Sequence, residues 1–243
     1  MVCFKKIVFA VAVTLYSITS FAQITSGRIV YERRTNLKKR FGNDDRMARF
    51  VTEENKIKLD RFELIFNKSK SAFIPIEDEE VAQGFMKYLT SQNFVYQDIE
   101  NNKKLTVMDL WGTETYLKDT LGQRKWKVTE SKRTIAGHLC RKASWEMNDS
   151  TRIYAWFAPN IVPSIGPEGF DGLPGAILGL ATEDGSVIYF AKEVKAQKPD
   201  PVKLVRDTGK NDVYTKAELR AILEEKMGKW MKSKDFDAMF SWL

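Results

Sequence analysis

The stretch Gly166-Pro167-Glu168-Gly169-Phe170-Asp171-Gly172-Leu173-Pro174-Gly175-Ala176-Ile177-Leu178-Gly179-Leu180 restricts the backbone more than any other in the chain. Turn-forming residues run directly into an apolar strand. Pro174-Gly175 suits the central positions of a type II turn, proline fixing the first φ and glycine accepting a positive second one. A strand then starts at Ala176. Glu183-Asp184-Gly185-Ser186 separates it from the next apolar run, and Asp-Gly is a preferred pair for a two-residue type I′ hairpin loop. With Asp184-Gly185 as the loop, Leu180 faces Tyr189 and Gly179 faces Phe190, so the Phe190 ring is expected to cover the bare glycine backbone.

The rest of the chain reads mainly as strands. Arg28 to Arg33 alternates apolar and polar side chains, the period of a half-buried strand. Phe62 to Phe66 and Ser71 to Ile74 flank a hairpin at Asn67-Lys68-Ser69-Lys70. Strands follow at 94–99, 104–110, 114–118, 125–129, 139–147 and 151–157, the close spacing of an antiparallel protein. A short helix is expected near 78–90, opened by the acidic run Glu77 to Glu80. The capping-box pattern Thr215-Lys216-Ala217-Glu218 opens a second over 216–232, with Leu219, Ile222, Leu223 and Met227 on one face. The expected class is therefore α+β: a mainly β chain with helices, forming a curved antiparallel sheet or open half-barrel strapped by those two.

Residues 1–22 have the layout of a secretory signal peptide: Lys5-Lys6, an apolar run from Ile7 to Tyr16, and small residues Ser20 and Ala22 before a cut ahead of Gln23. The apolar run is well short of the roughly 20 residues of a spanning helix, and no later stretch supplies one. The reading is an exported protein, periplasmic or extracellular, with one β-rich domain over 23–195, a linker over 196–214 and a helical segment over 215–243. Without the leader, 37 basic residues face 32 acidic ones, interleaved as on a solvated surface, so the charge does not argue for nucleic acid. The basic patch Arg33-Arg34 and Lys38-Lys39-Arg40 fits a solvated loop or sheet edge, its sharper alternative being contact with an acidic surface or lipid headgroups. Cys140 is the only cysteine left, so no internal disulfide can form and the core must hold the fold.

A single histidine, His138, removes zinc sites built on several imidazoles and most imidazole-dependent hydrolases. His138 and Cys140 lie two apart on a strand, about 6.6 Å along the chain, which is too far for a direct bond. Phosphate-loop and dinucleotide motifs are missing, and no cofactor or metal is expected. Glu168 and Asp171 are the one carboxylate pair in a motif, but Asp-Gly before a turn is ordinarily turn chemistry. Trp145, Trp156, Phe170 and Leu173 are the expected lining of any ligand surface, while Gly172, Pro174, Gly175 and Gly179 are read as architecture.

Gly172-Leu173-Pro174-Gly175-Ala176-Ile177-Leu178 resembles the signature of the GLPGLI family of exported bacterial envelope proteins, with Ala176 in place of a leucine. Ile135 to Ala143 resembles that family's I-x-G-x-x-C-x-K-A segment, and Ala155-Trp156-Phe157-Ala158-Pro159 with Gly166-Pro167 resembles its A-W-[YF] strand and G-P turn. The resemblance implies an exported β-rich protein and supplies no catalytic residues. The function expected is non-catalytic binding of a hydrophobic or extended partner, such as a lipid, a peptide or an outer-membrane protein, in a concave β surface. The alternatives are an assembly adaptor of an outer-membrane complex, or a hydrolase or metal-dependent enzyme using Glu168, Asp171 or Cys140.

Overall fold

A computed structural model of the chain describes residues 23–42, 48–76, 90–122, 124–148, 151–231 and 233–240. They form β1 (Gly27–Asn36), α1 (Leu37–Phe41), β2 (Ile57–Phe66), β3 (Lys70–Ile76), β4 (Phe94–Asp98), β5 (Lys103–Leu110), β6 (Thr113–Asp119), β7 (Lys127–Ile135), β8 (His138–Asn148), β9 (Thr151–Ala158), β10 (Ala176–Thr182), β11 (Val187–Ala196), β12 (Val213–Tyr214), α2 (Lys216–Met227) and α3 (Ser233–Met239).

All twelve strands join one sheet in the order β12-β6-β5-β4-β3-β2-β1-β11-β10-β9-β8-β7. Two meanders are thus stitched together by antiparallel pairing of β1 with β11, the two-residue β12 being the one parallel member. The hairpin registers follow the sequence pattern: Gly179 pairs with Phe190 and Leu180 with Tyr189. The loop differs from expectation. Only Gly185 has a positive φ, +68°, and its N–H closes onto the Thr182 carbonyl at 3.0 Å. Asp184 keeps a negative φ because its side chain accepts from the backbone and hydroxyl of Ser186, at 3.0 and 2.8 Å, so the turn is of the type I kind followed by a left-handed glycine.

The α+β assignment is corrected. The molecule is a mainly β protein, an open sheet that does not close into a barrel, with α2 the one helix of substantial length among the described residues. Among the described residues irregular chain covers the sheet: from the segment between β9 and β10, Ile161, Ile165, Phe170 and Leu173 join the same buried cluster as Ile29, Phe62, Leu64 and Phe157. Helix α2 starts at the expected capping box, with Thr215 and Glu218 each bonding the other's backbone. It lays Leu219, Leu223 and the half-buried Met227 on a small cluster with Met108 and Leu117, at the β6 end. It caps an end and does not strap the sheet. The helix expected near 78–90 lies, apart from Thr90, outside the described residues. In the expected linker, Leu204 is buried with Ile65 and Ala72, and Val213 and Tyr214 extend the sheet.

Candidate functional site

The corner between β9 and β10 begins with Gly166 extended and turns sharply through Pro167–Gly169, where Glu168 takes φ +53° and Gly169 +70°. A left-handed conformation costs a non-glycine residue about 1–2 kcal/mol, so side-chain contacts must hold Glu168 there. Its Oε1 accepts from the Tyr189 hydroxyl at 2.7 Å and lies 3.6 Å from Arg33 Nη1. Register places Arg33 directly opposite Asp60 on β2 and Tyr189 on β11, so Asp60, Arg33 and Tyr189 form one row across three strands. Arg33 bonds Asp60 Oδ2 at 2.8 and 3.1 Å and stands 4.8 Å over the Phe62 ring. Asp60 also takes Lys58 at 2.9 Å, Thr90 at 3.1 Å and Gln92 at 2.9 Å.

These charges are almost wholly buried: Arg33 is 3% exposed, Asp60 2% and Glu168 3%. Burial works against the Arg33 charge, but Tyr189, Asp60 and Glu168 outweigh it and hold the guanidinium firmly charged. Burial likewise pushes Asp60 up, yet Arg33 and Lys58 together leave it below the usual carboxylate range. Glu168 goes the other way. Burial lifts its carboxyl above the ordinary value more than Arg33 and Tyr189 can lower it. Its Oε2 and the Thr35 hydroxyl oxygen are buried without a hydrogen bond of good geometry.

Asp171 performs the same task three residues on, with different partners. Its carboxylate meets Arg124 at 2.8 Å and the Gly122 N–H at 3.2 Å, and its carbonyl accepts from the Trp126 indole at 2.8 Å. Burial raises its carboxyl, with Arg124 pulling against that. Gln97 on β4 donates to the Gly169 carbonyl at 3.3 Å. The turn therefore touches β11 through Glu168 and β4 through Gly169. These strands are four places apart in the sheet, about 19 Å if flat, so the sheet bends around the turn.

Of the residues expected to line a ligand surface, Phe170 and Leu173 are core, each 2% exposed. Half-buried Trp145 packs on Phe170 and Trp126 at 6.3 and 6.1 Å, with Arg124 4.5 Å over Phe170. Trp156 points to the opposite face, against Phe190 at 6.3 Å. The four do not converge on one opening. A Cβ on Gly179 would sit 3.0 Å from Phe190 Cε1, so the ring does cover that glycine. Gly172, at φ +88°, donates its N–H to Ser164 Oγ at 2.7 Å. At Pro174 the turn is tighter than type II: Gly175 N–H bonds the Leu173 carbonyl at 2.8 Å, with φ +144°. A Cβ on Gly175 would meet Ala158 O at 2.3 Å, which explains the glycine.

The residues weighed for catalysis are held inside the fold. Glu168 and Asp171 are each engaged by an arginine inside the fold. The Cys140 thiol is buried, pushed up to about 11 by that burial, and directs its Sγ to the His138 carbonyl at 3.4 Å and not to the imidazole. His138 Nδ1 meets the Asn160 amide at 2.9 Å. Among the described residues no group of three or more His, Cys, Asp or Glu side chains is placed to hold a metal ion, and no helix is long and apolar enough to cross a membrane. The basic patch is not a uniformly solvated edge. Arg33 is interior, Lys38 pairs with Glu53 at 2.5 Å and Lys39 donates to the Asp184 carbonyl.

Sequence reasoning missed an open groove of about 750 Å3 beyond the ends of β3–β6. Residues 204–206 and the start of α2 wall it, and Tyr96, Leu105 and Leu204 contribute apolar surface. Its cations, Lys70, Lys103, Lys104, Lys118, Arg206 and Lys216, face only two carboxylates, Asp98 and Asp119. No linear motif announces it, because its walls come from segments more than a hundred residues apart.

Comparison with known proteins falls on the same corner. Residues 117–179 match a family model described as a protein of unknown function, Porph_ging. That match takes in β7–β9 and the whole turn, ending at Gly179. No curated protein matches the chain. Among solved structures, PNGF-II in two crystal forms, C2 and P21, aligns with a TM-score of 0.52 in each, at 18% and 17% identity over 78% and 79% of this chain. The chain spans only 30% and 31% of those proteins' length, so the likeness is one of fold. The MucA/MucB complex of Pseudomonas aeruginosa aligns at 8% identity over 76% of this chain and 57% of that one, with a TM-score of 0.37.

Proposed function

We propose that the chain is an exported, non-catalytic envelope protein of the GLPGLI type that binds an extended or partly apolar partner. The observation that carries this reading is the internal use of Glu168 and Asp171, each buried beside an arginine beneath the surface. The carboxylates best placed by sequence for chemistry are spent on holding the corner. Export rests on the signal-peptide layout of residues 1–22, which lie outside the described residues. The corner already fills the sheet face that would otherwise receive a ligand, so binding is assigned to the groove beside β4–β6. Recovery of the protein from envelopes by gentle extraction, followed by native mass spectrometry, tests this: a stoichiometric co-purifying molecule is expected, and uniformly empty protein contradicts it.

A second reading, an adaptor docking on another envelope protein, is favoured by two exposed tryptophans, Trp111 at 63% and Trp230 at 81%. Their neighbours Leu110 and Met231 pack on the same small cluster, which puts both rings at one corner of the molecule. Photo-crosslinkers at 111 and 230 that capture one defined envelope protein would favour this reading, and crosslinks confined to 103 and 118 would favour the groove.

A further inference from the structure

We infer that the groove beside β4–β6 is a binding site for an anionic amphiphile, a molecule with a phosphate or carboxylate head and an apolar body; this rests on the reading of the chain as a binding protein. Pairing aligns Tyr96 with Leu105 and Leu105 with Lys118, and in the next row Asp98 lies between Lys70 and Lys103. An apolar row thus lies beside a charged one. The charges are unevenly satisfied. Lys104 is neutralised by Asp119 at 3.1 Å and Arg206 by Glu114 at 2.6 Å. Asp98 is taken by the backbone and side chain of Asn101, at 3.1 and 2.9 Å. No ion pair among the described residues engages Lys70, Lys103 or Lys118.

Lys70, Lys103 and Lys118 make no ion pair among the described residues and outnumber the one carboxylate, Asp98, set between the first two, so the opening keeps an excess of positive charge that an anion relieves. A purely ionic ligand would leave the Tyr96, Leu105 and Leu204 surface in water, and a purely apolar one would leave the lysines uncompensated. A volume of about 750 Å3 is in the range of small-molecule sites, roughly 300–1,000 Å3. It accommodates a single acyl chain with its head group, with the head on Lys70, Lys103 and Lys118 and the chain along Leu105 and Leu204.

The test is titration calorimetry of the mature protein with dodecyl phosphate below its micellar concentration, with dodecyl maltoside and inorganic phosphate as separate probes. One site for dodecyl phosphate is expected, at least tenfold tighter than for either control and weakened by salt. Lys103 and Lys118 have exposed side chains, so the Lys103→Ala/Lys118→Ala variant should fold with unchanged circular dichroism and lose at least tenfold in affinity. Lys118→Glu alone should lose more than Lys118→Ala. Equal binding of dodecyl maltoside, tight binding of phosphate alone, no binding of dodecyl phosphate, or unchanged affinity in the lysine variants would each overturn the assignment. If a different molecule still co-purifies from envelopes, the ligand class falls and the binding-protein reading stands.

Discussion

Tyr189 donates its hydroxyl hydrogen to Glu168 Oε1 across 2.7 Å, tying the start of β11 to a residue with φ +53° in the turn that fills the sheet. The same hydroxyl accepts from Arg33 Nη1 at 3.2 Å, so one oxygen couples the turn to the Arg33–Asp60 pair. Removing it with Tyr189→Phe breaks bonds to charged groups, each of the order of 1.5–3 kcal/mol. The urea midpoint should fall accordingly, with the m-value unchanged.

Asp60 and Glu168 should respond to pH in opposite senses. Asp60 is depressed below its ordinary 3.8, so its contribution is present above that value and is lost as pH falls through the folded one. Glu168 is raised above its ordinary 4.5, so its contribution is full below that value and is lost as pH rises through the folded one. The cost of Asp60→Asn should therefore grow from acid to neutral pH, reaching about 3–5 kcal/mol as one partner of a buried pair is removed. The cost of Glu168→Gln should shrink over the same range. Denaturant midpoints taken from pH 2.5 to pH 7 check both slopes, that of Asp60 below its ordinary 3.8 and that of Glu168 above its ordinary 4.5.

Gly175 and Gly179 should differ sharply in tolerance. A Cβ at Gly175 meets a fixed backbone oxygen at 2.3 Å with φ +144°, so Gly175→Ala should cost about 3 kcal/mol or more. At Gly179 the obstacles are the ends of Phe190 and Ile135, at 3.0 and 3.1 Å. Gly179→Ala should cost about 1 kcal/mol, and less in a Phe190→Leu background, measured as a double-mutant cycle.

Cys140 should be chemically silent in the folded protein. Its thiol is fully buried and pushed up to about 11 by that burial, and the thiolate is the reactive form. Ellman's reagent at pH 8 should label it only on unfolding. Rapid labelling of native protein would show an accessible thiol.

Most of the strands and the β10–β11 register were legible because period-two alternation and an Asp-Gly turn are local signals. The class was misjudged because an amphipathic helix is conspicuous in sequence, whereas irregular chain such as 159–175 has no period and its role as cover shows only in three dimensions. The start of β2 was missed for a related reason. Lys58 and Asp60 are ionisable residues ahead of the strand expected at 62–66, and they are buried through partners on β1 and at Thr90 and Gln92. The groove was invisible because Lys103 and Arg206 become neighbours only through folding. Glu168 and Asp171 read as ordinary turn chemistry with a catalytic alternative, and what the sequence lacked was their arginines.

Native-state hydrogen exchange across 164–180 tests most directly whether the corner is scaffold. The N–H groups of Phe170, Gly172, Gly175, Ala176 and Ile177 are all bonded within it, at 2.7 to 2.9 Å. They should exchange as slowly as those of Leu180 in β10, all opening with the global unfolding of the sheet. If Phe170 to Gly175 exchange orders of magnitude faster while Ile177 to Leu180 stay protected, the corner is a moving cover over the sheet, and scaffolding is the wrong description of Glu168 and Asp171.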